Sequence, residues 1–109
     1  MELSCIQRAM EKAFRHRDVG RGLYATFTWL VEEVGELGEA LLKGDRKQIA
    51  EEIADVIAWT LSLAAMVGID AEEALRVKYS SELNAASCLD NQIDNQNNKT
   101  VDKKDRKES

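Results

Sequence analysis

Residues Leu30 to Leu63 read LVEEVGELGEALLKGDRKQIAEEIADVIAWTLSL, a stretch that carries two acidic pairs at helical spacing, Glu33 with Glu36 and Glu52 with Asp55. Side chains three apart on a helix are neighbours on its surface, so each pair makes a two-toothed carboxylate unit if its segment is helical. Between the pairs, Gly44 is a helix stop, and Asp45 with Gln48 three residues on is a capping-box start. So short a turn sends the second segment back antiparallel to the first, which places four carboxylates in one neighbourhood.

Phe27, Leu30, Val31, Val34, Leu37 and Leu41 form one stripe opposite Glu32, Glu36 and Glu39, with Glu33 at its flank, so a helix is expected over Leu23–Lys43. Gly35 and Gly38 inside it each cost about 1 kcal/mol relative to Ala, which predicts a neighbouring helix approaching closely there. The next helix, Arg46–Val67, is apolar nearly all round: Ile53, Val56, Ile57, Leu61, Leu63, Ala64 and Val67 do not fit one narrow stripe. Such a helix is buried on most sides. One short chain offers too little cover for it, so a homo-oligomer, dimer or tetramer, is expected to complete the fold. The line Glu52, Asp55, Trp59 is the exception to its apolar surroundings.

Toward the N-terminus, Leu3, Ile6, Met10, Ala13 and Phe14 predict an amphipathic helix over Glu2–Arg15. Arg8, Lys12, Arg15, Arg17 and Arg21, with His16 among them, make a basic run. It reads either as a solvated helix end that complements the helix dipole or as a phosphate-facing patch, and the solvated reading is preferred. Asp18–Gly22, DVGRG, is expected to be a loop; it satisfies neither the dinucleotide fingerprint nor the Gly-Lys-Ser/Thr phosphate loop. Toward the C-terminus, Gly68 and the pair Asp70 and Glu73 start a fourth helix over Ala71–Ser87, with Leu75, Tyr79, Leu83 and Ala86 on its buried side. Beyond Leu89 the chain turns abruptly polar. The expectation is therefore an all-α, four-helix antiparallel bundle over residues 1–89, followed by a disordered polar tail over 90–109.

The chain of 109 residues has room for one domain, and its formal net charge of −5 falls within the helical part, because acids and bases balance in the tail. An acidic domain repels a phosphate backbone, which argues against a nucleic-acid polymer as partner. The longest apolar run, Val56–Ile69, is interrupted by Thr60, Ser62 and Gly68 and is too short to cross a membrane. With no signal-peptide core at the N-terminus, a cytoplasmic protein is expected, with Cys5 and Cys88 as reduced thiols.

Clustered carboxylates repel one another and oppose folding unless protons or cations intervene. The other reading is that Glu33, Glu36, Glu52 and Asp55 are solvated helix faces; the pattern alone leaves both open. If a metal binds, the donors are all hard oxygens with no His nearby, which favours Mg²⁺ or Mn²⁺ over zinc or iron. Mg²⁺ held by a few carboxylates completes its shell with water and substrate phosphate oxygens, which points to phosphate-ester or anhydride chemistry. Trp29 and Trp59 near the acids read as core packing in preference to base stacking.

The strings Glu32-Glu33-Val34-Gly35-Glu36-Leu37, Glu51-Glu52-Ile53-Ala54-Asp55-Val56 and Met66-Val67-Gly68-Ile69-Asp70 together resemble the MazG-like nucleoside triphosphate pyrophosphohydrolases of the all-α NTP pyrophosphatase superfamily, over about Leu23 to Tyr79. The resemblance implies that Glu33, Glu36, Glu52 and Asp55 bind Mg²⁺ and that a nucleoside triphosphate is split between its α and β phosphates into a monophosphate and pyrophosphate. It implies also that Glu33 or Glu36 accepts the proton of the attacking water. Members of the family often carry a lysine and an Asn-x-Arg-Arg-like cluster late in the fourth helix. Here Lys78 is followed by Leu83-Asn84-Ala85-Ala86-Ser87 and the basic cluster is gone, so Lys78, Asn84, Trp59 and Arg21 are the candidate substrate contacts, with Lys47 or the basic run near Arg15 to Arg21 as substitutes. Two alternatives stand beside this one: phosphoribosyl-ATP pyrophosphatase of the same superfamily, and a non-catalytic helical oligomer whose acids are only surface.

Overall fold

A computed structural model of the chain describes residues 1–89, and the tail expected from residue 90 onward lies outside them. The described residues are helical without a strand: α1 (Leu3–Arg21), α2 (Leu23–Lys43), α3 (Arg46–Met66), α4 (Ala71–Lys78) and α5 (Ser80–Ala85). They fall into two compact units, the first Met1–Ala71 and the second beginning at Glu72.

In the first unit α3 is the central helix, packed along α2 and along α1, while α1 and α2 touch each other far less. The α2–α3 hairpin is made where the sequence expects it. Gly44 caps α2 in the left-handed conformation, φ 78° and ψ 16°, and its N–H donates to the Ala40 carbonyl. Asp45 then caps α3, its carboxylate accepting from the N–H groups of Lys47 at 3.0 Å and Gln48 at 3.3 Å. α2 has the expected bounds, and α3 ends within one residue of its expected end.

α1 departs from expectation. Asp18–Gly22 is not a loop: the helix runs on through Gly20 to Arg21, and only Gly22, at φ 94° and ψ 164°, breaks it. The cause is tertiary. Asp18 is buried and accepts from Arg17 Nε at 2.9 Å, and the side chains of Arg17 and Arg21 lie over aromatic rings of α2 and α3, so packing outweighs the poor helix propensity of Gly20. Gln7, also buried, ties the end of this unit to α1. Its Nε2 donates to the Ile69 carbonyl at 2.8 Å and its Oε1 accepts from the Ala71 N–H at 2.9 Å, while Ser4 Oγ donates to the Asp70 carboxylate at 3.0 Å.

Two expectations turn on cover that this chain by itself does not supply. Among the described residues no neighbouring helix comes within 4 Å of where a Cβ would stand on Gly35 or Gly38, and they leave that face of α2 open. As expected of one chain alone, α3 is incompletely covered: Ile53 and Ile57 are 44% and 48% exposed, and on α2 Phe27, Val31, Val34 and Leu41 are at least half exposed. The small first unit has too few elements to cover both faces of its hairpin.

In the second unit the expected single helix is two. Tyr79, at φ −117° and ψ 35°, interrupts it, although the Tyr79 N–H still donates to the Leu75 carbonyl and the Leu83 N–H to the Tyr79 carbonyl, so the break is a kink in a near-continuous ladder. The thiols of Cys5 and Cys88 are free and exposed. No single helix among the described residues is long and apolar enough to cross a membrane.

Candidate active site

The hairpin turn sets the register of the acids. Glu36 lies as far before Gly44 as Glu52 lies after it, and Glu33 as far before as Asp55 after, so an antiparallel hairpin pivoting on Gly44 brings the pairs level. The structure brings three of the four together: one carboxylate oxygen from each of Glu33, Glu36 and Glu52 lies within 4.8 Å of the others. Asp55 is outside this close group, yet near enough for its charge to act on Glu33 and Glu52.

The electrostatics follow from that crowding. Glu33 is pushed up from 4.5 to about 7, first by loss of solvent, then by the charges of Glu36, Asp55 and Glu52, and last by a hydrogen bond shared with Glu52. Glu52 is raised too, by desolvation first and then by Glu36 and Asp55; accepting from Glu33 offsets part of this. Glu33 Oε1 and Glu52 Oε1 are buried and find no hydrogen-bond donor among the described residues. Converging hard oxygens with partnerless lone pairs suit a small divalent cation, Mg²⁺ or Mn²⁺, and no described His or Cys joins them.

Beside the acids stands an aromatic and cationic layer. Trp29 of α2 and Trp59 of α3 stack with ring centroids 6.2 Å apart and planes 9° from parallel. The Arg21 guanidinium carbon is 5.2 Å from each of these ring centroids, and its Nη1 is buried without a hydrogen-bond partner among the described residues. The Arg17 guanidinium carbon is 4.2 Å from the centroids of both Phe14 and Trp59. These two arginines of the basic run are therefore not a solvated helix end, whereas Arg8, Lys12, Arg15 and His16 are exposed. Next to Trp59 a cleft of about 540 Å³ opens between α1 and α3, lined by Phe14, Arg17, Asp55, Trp59 and Ser62 among others.

Of the candidate substrate contacts, Trp59 and Arg21 meet at this layer. Lys78 ends α4 with its Nζ 5.6 Å from the Tyr79 ring centroid, and Asn84 lies in α5; both belong to the second unit. Lys47 sits exposed at the start of α3. Sequence reasoning had Arg17 only as part of the basic run, and missed Phe14, Asp18 and Ser62. A signal existed for Phe14: Phe14, Arg17 and Arg21 recur at helical spacing, which a helix continuing past Asp18 places on one face.

A family model for the MazG nucleotide pyrophosphohydrolase domain matches residues 21–79. A curated dATP/dGTP diphosphohydrolase from Cyanophage S-2L is 42% identical over 55 residues, which are 50% of this chain and 49% of that protein. The chain thus spans about half the length of the curated relative it matches.

Proposed function

The chain belongs to the MazG nucleotide pyrophosphohydrolase family, and from that premise we propose that it hydrolyses a nucleoside triphosphate between the α and β phosphates, releasing the monophosphate and pyrophosphate, with Mg²⁺ or Mn²⁺ as cofactor. The observation that carries this reading is the carboxylate group inside the matched segment, where Glu33, Glu36 and Glu52 converge within 4.8 Å and two buried oxygens lack donors. Glu33, Glu36, Glu52 and Asp55 would hold the cation. Bound there, it would offset charge on the triphosphate and favour ionisation of the attacking water.

The chain's own residues do the rest. Glu33 or Glu36, on the same turn of α2, accepts the proton of the water that attacks phosphorus. Arg21, with its buried and unpartnered Nη1, is the cation best suited to meet a phosphate oxygen, in place of the basic cluster absent from the end of the fourth helix. Trp59, with the Arg17 guanidinium over its ring, lines the cleft that would take the base. Substitution of Lys78 and of Asn84 by Ala tests the two remaining candidates through KM.

Oligomerisation belongs to the same proposal. The half-exposed Phe27, Val31, Val34 and Leu41 of α2, with Ile53 and Ile57 of α3, form more apolar surface than a small monomer keeps in water. A second copy of the hairpin, approaching across the open Gly35 and Gly38, supplies the missing cover.

The test is product analysis with Mg²⁺ and with chelator on a panel of nucleoside triphosphates, with dATP and dGTP, named for the phage relative, at its head and phosphoribosyl-ATP at its end. Cation-dependent pyrophosphate and monophosphate from a nucleoside triphosphate support the reading. Activity on phosphoribosyl-ATP alone moves the assignment to that pyrophosphatase, and no reaction and no cation binding leave a non-catalytic oligomer.

A further inference from the structure

Ser62 of α3 is 1% exposed, and its Oγ has no hydrogen-bond partner among the described residues. Three threonines of α2 and α3 behave otherwise. Thr26 Oγ1 donates to the Gly22 carbonyl at 2.8 Å, Thr28 Oγ1 to Tyr24 at 3.0 Å and Thr60 Oγ1 to Val56 at 2.8 Å, each closing on the carbonyl one turn back. Ser62 makes no such bond, and a buried hydroxyl left unpaired is a cost to the fold that a ligand can remove.

Ser62 is among the residues that line the α1–α3 cleft, whose volume of about 540 Å³ lies in the range of small-molecule sites. The cleft is apolar with few polar groups, Arg17, Asp55 and Ser62, the composition of a site that buries a flat heterocycle and fixes it by a small number of hydrogen bonds. Its polar end adjoins the carboxylates through Asp55. On α3, Glu52, Asp55, Trp59 and Ser62 fall at helical spacing on one line. Ser62 stands about 10 Å along the axis beyond Asp55, which is of the order of the reach from the α-phosphate of a nucleotide to the far edge of its base. The opposite wall, Ile6, Met10, Phe14 and Arg17, comes from α1 and precedes residue 21, where the family match begins.

We propose that this cleft receives the nucleoside half of the substrate, the base lying against Trp59 and Arg17 with its edge hydrogen-bonded by Ser62 Oγ, so that Ser62 and the α1 wall set which base is accepted. This rests on the pyrophosphohydrolase reading. Arg17 is fixed in place by its neighbour in sequence: its Nε donates to the buried Asp18 carboxylate at 2.9 Å, which keeps the planar guanidinium on the Trp59 ring.

Two variants of the full chain test it. Ser62→Ala deletes the hydroxyl, and Ala58→Leu fills the cleft from the neighbouring turn of α3. The first readout is tryptophan emission during titration with nucleoside monophosphates in chelator, which needs neither cation nor turnover. The second is kcat/KM for pyrophosphate release from each triphosphate with Mg²⁺. The wild type is expected to change emission with its preferred mononucleotide, and Ala58→Leu to weaken that binding at least tenfold. Ser62→Ala should raise KM for the preferred base about tenfold, the share of one hydrogen bond, and the poorer bases should lose less, so discrimination narrows. Thermal midpoints confirm that the variants fold; Ser62→Ala removes an unpartnered group and should hold or raise stability. Emission unmoved by every mononucleotide, or a base ranking and affinities unchanged in Ser62→Ala, overturns the proposal. A wild type that binds mononucleotides with this variant pattern but releases no pyrophosphate refutes the pyrophosphohydrolase reading and leaves the cleft a base-binding site.

Discussion

Replacing Glu33 with Gln should stabilise the cation-free protein at neutral and alkaline pH. The Glu33 carboxyl is pushed from 4.5 to about 7 in the folded chain, so between those values the folded state binds more protons than the unfolded state and stability falls as pH rises. The favourable contribution is fully present below the unfolded value and is lost as pH climbs through about 7. A fully shielded carboxyl shifted this far would account for about 3 kcal/mol; Glu33 is partly open to water, and screening brings this to on the order of 1–2 kcal/mol. Glu52 is shifted in the same direction and adds to the slope. The assay is urea unfolding in chelator, followed by circular dichroism at fixed protein concentration and ionic strength, from about pH 5 to about pH 8. Wild type should lose stability over that range, and Glu33→Gln should lose less by on the order of 1–2 kcal/mol, or roughly 4–16 °C in thermal midpoint for a domain of this size. Parallel pH profiles for the two proteins, or a wild type that gains stability with rising pH, would refute the crowding of these carboxylates.

Two other outcomes follow from the hairpin. Asp45→Ala removes the acceptor for two N–H groups at the start of α3 and should cost about 1 kcal/mol in unfolding free energy. Light scattering on the full chain should give a mass of at least two copies, and an Asp at Val34, on the half-exposed face of α2, should reduce it to one; a monomeric wild type would contradict the proposed pairing.

Much of the fold is legible in the sequence because its decisive signals are local. Gly44 and Asp45 state the turn with backbone chemistry that needs no tertiary context, and once the turn is known the spacing of Glu33, Glu36 and Glu52 places their carboxylates together. The features that escape the sequence depend on partners distant in the chain. Asp18–Gly22 looks like a loop because Asp18 and two glycines are helix-poor in isolation; the burial of Asp18 and the rings of Trp29 and Trp59 beside Arg17 and Arg21 offset this. Nothing in the string around Tyr79 signals a kink. Gly35 and Gly38 predict a close helix contact, and the chain alone leaves them open. Ser62 cannot be singled out from sequence at all: a hydroxyl on an apolar helix usually bonds its own backbone, and that it does not do so here is visible only in three dimensions.

The acidic cluster of α2 and α3 is proposed to carry pyrophosphate release from a nucleoside triphosphate. The most direct test compares wild type and Glu52→Gln, both verified as folded, for pyrophosphate formation with saturating Mg²⁺ on the best triphosphate of the panel. The wild type is expected to release pyrophosphate in a cation-dependent way, and the variant to lose at least about a hundredfold, the scale on which positioned charge-bearing groups contribute. Release that persists undiminished in Glu52→Gln would contradict the claim.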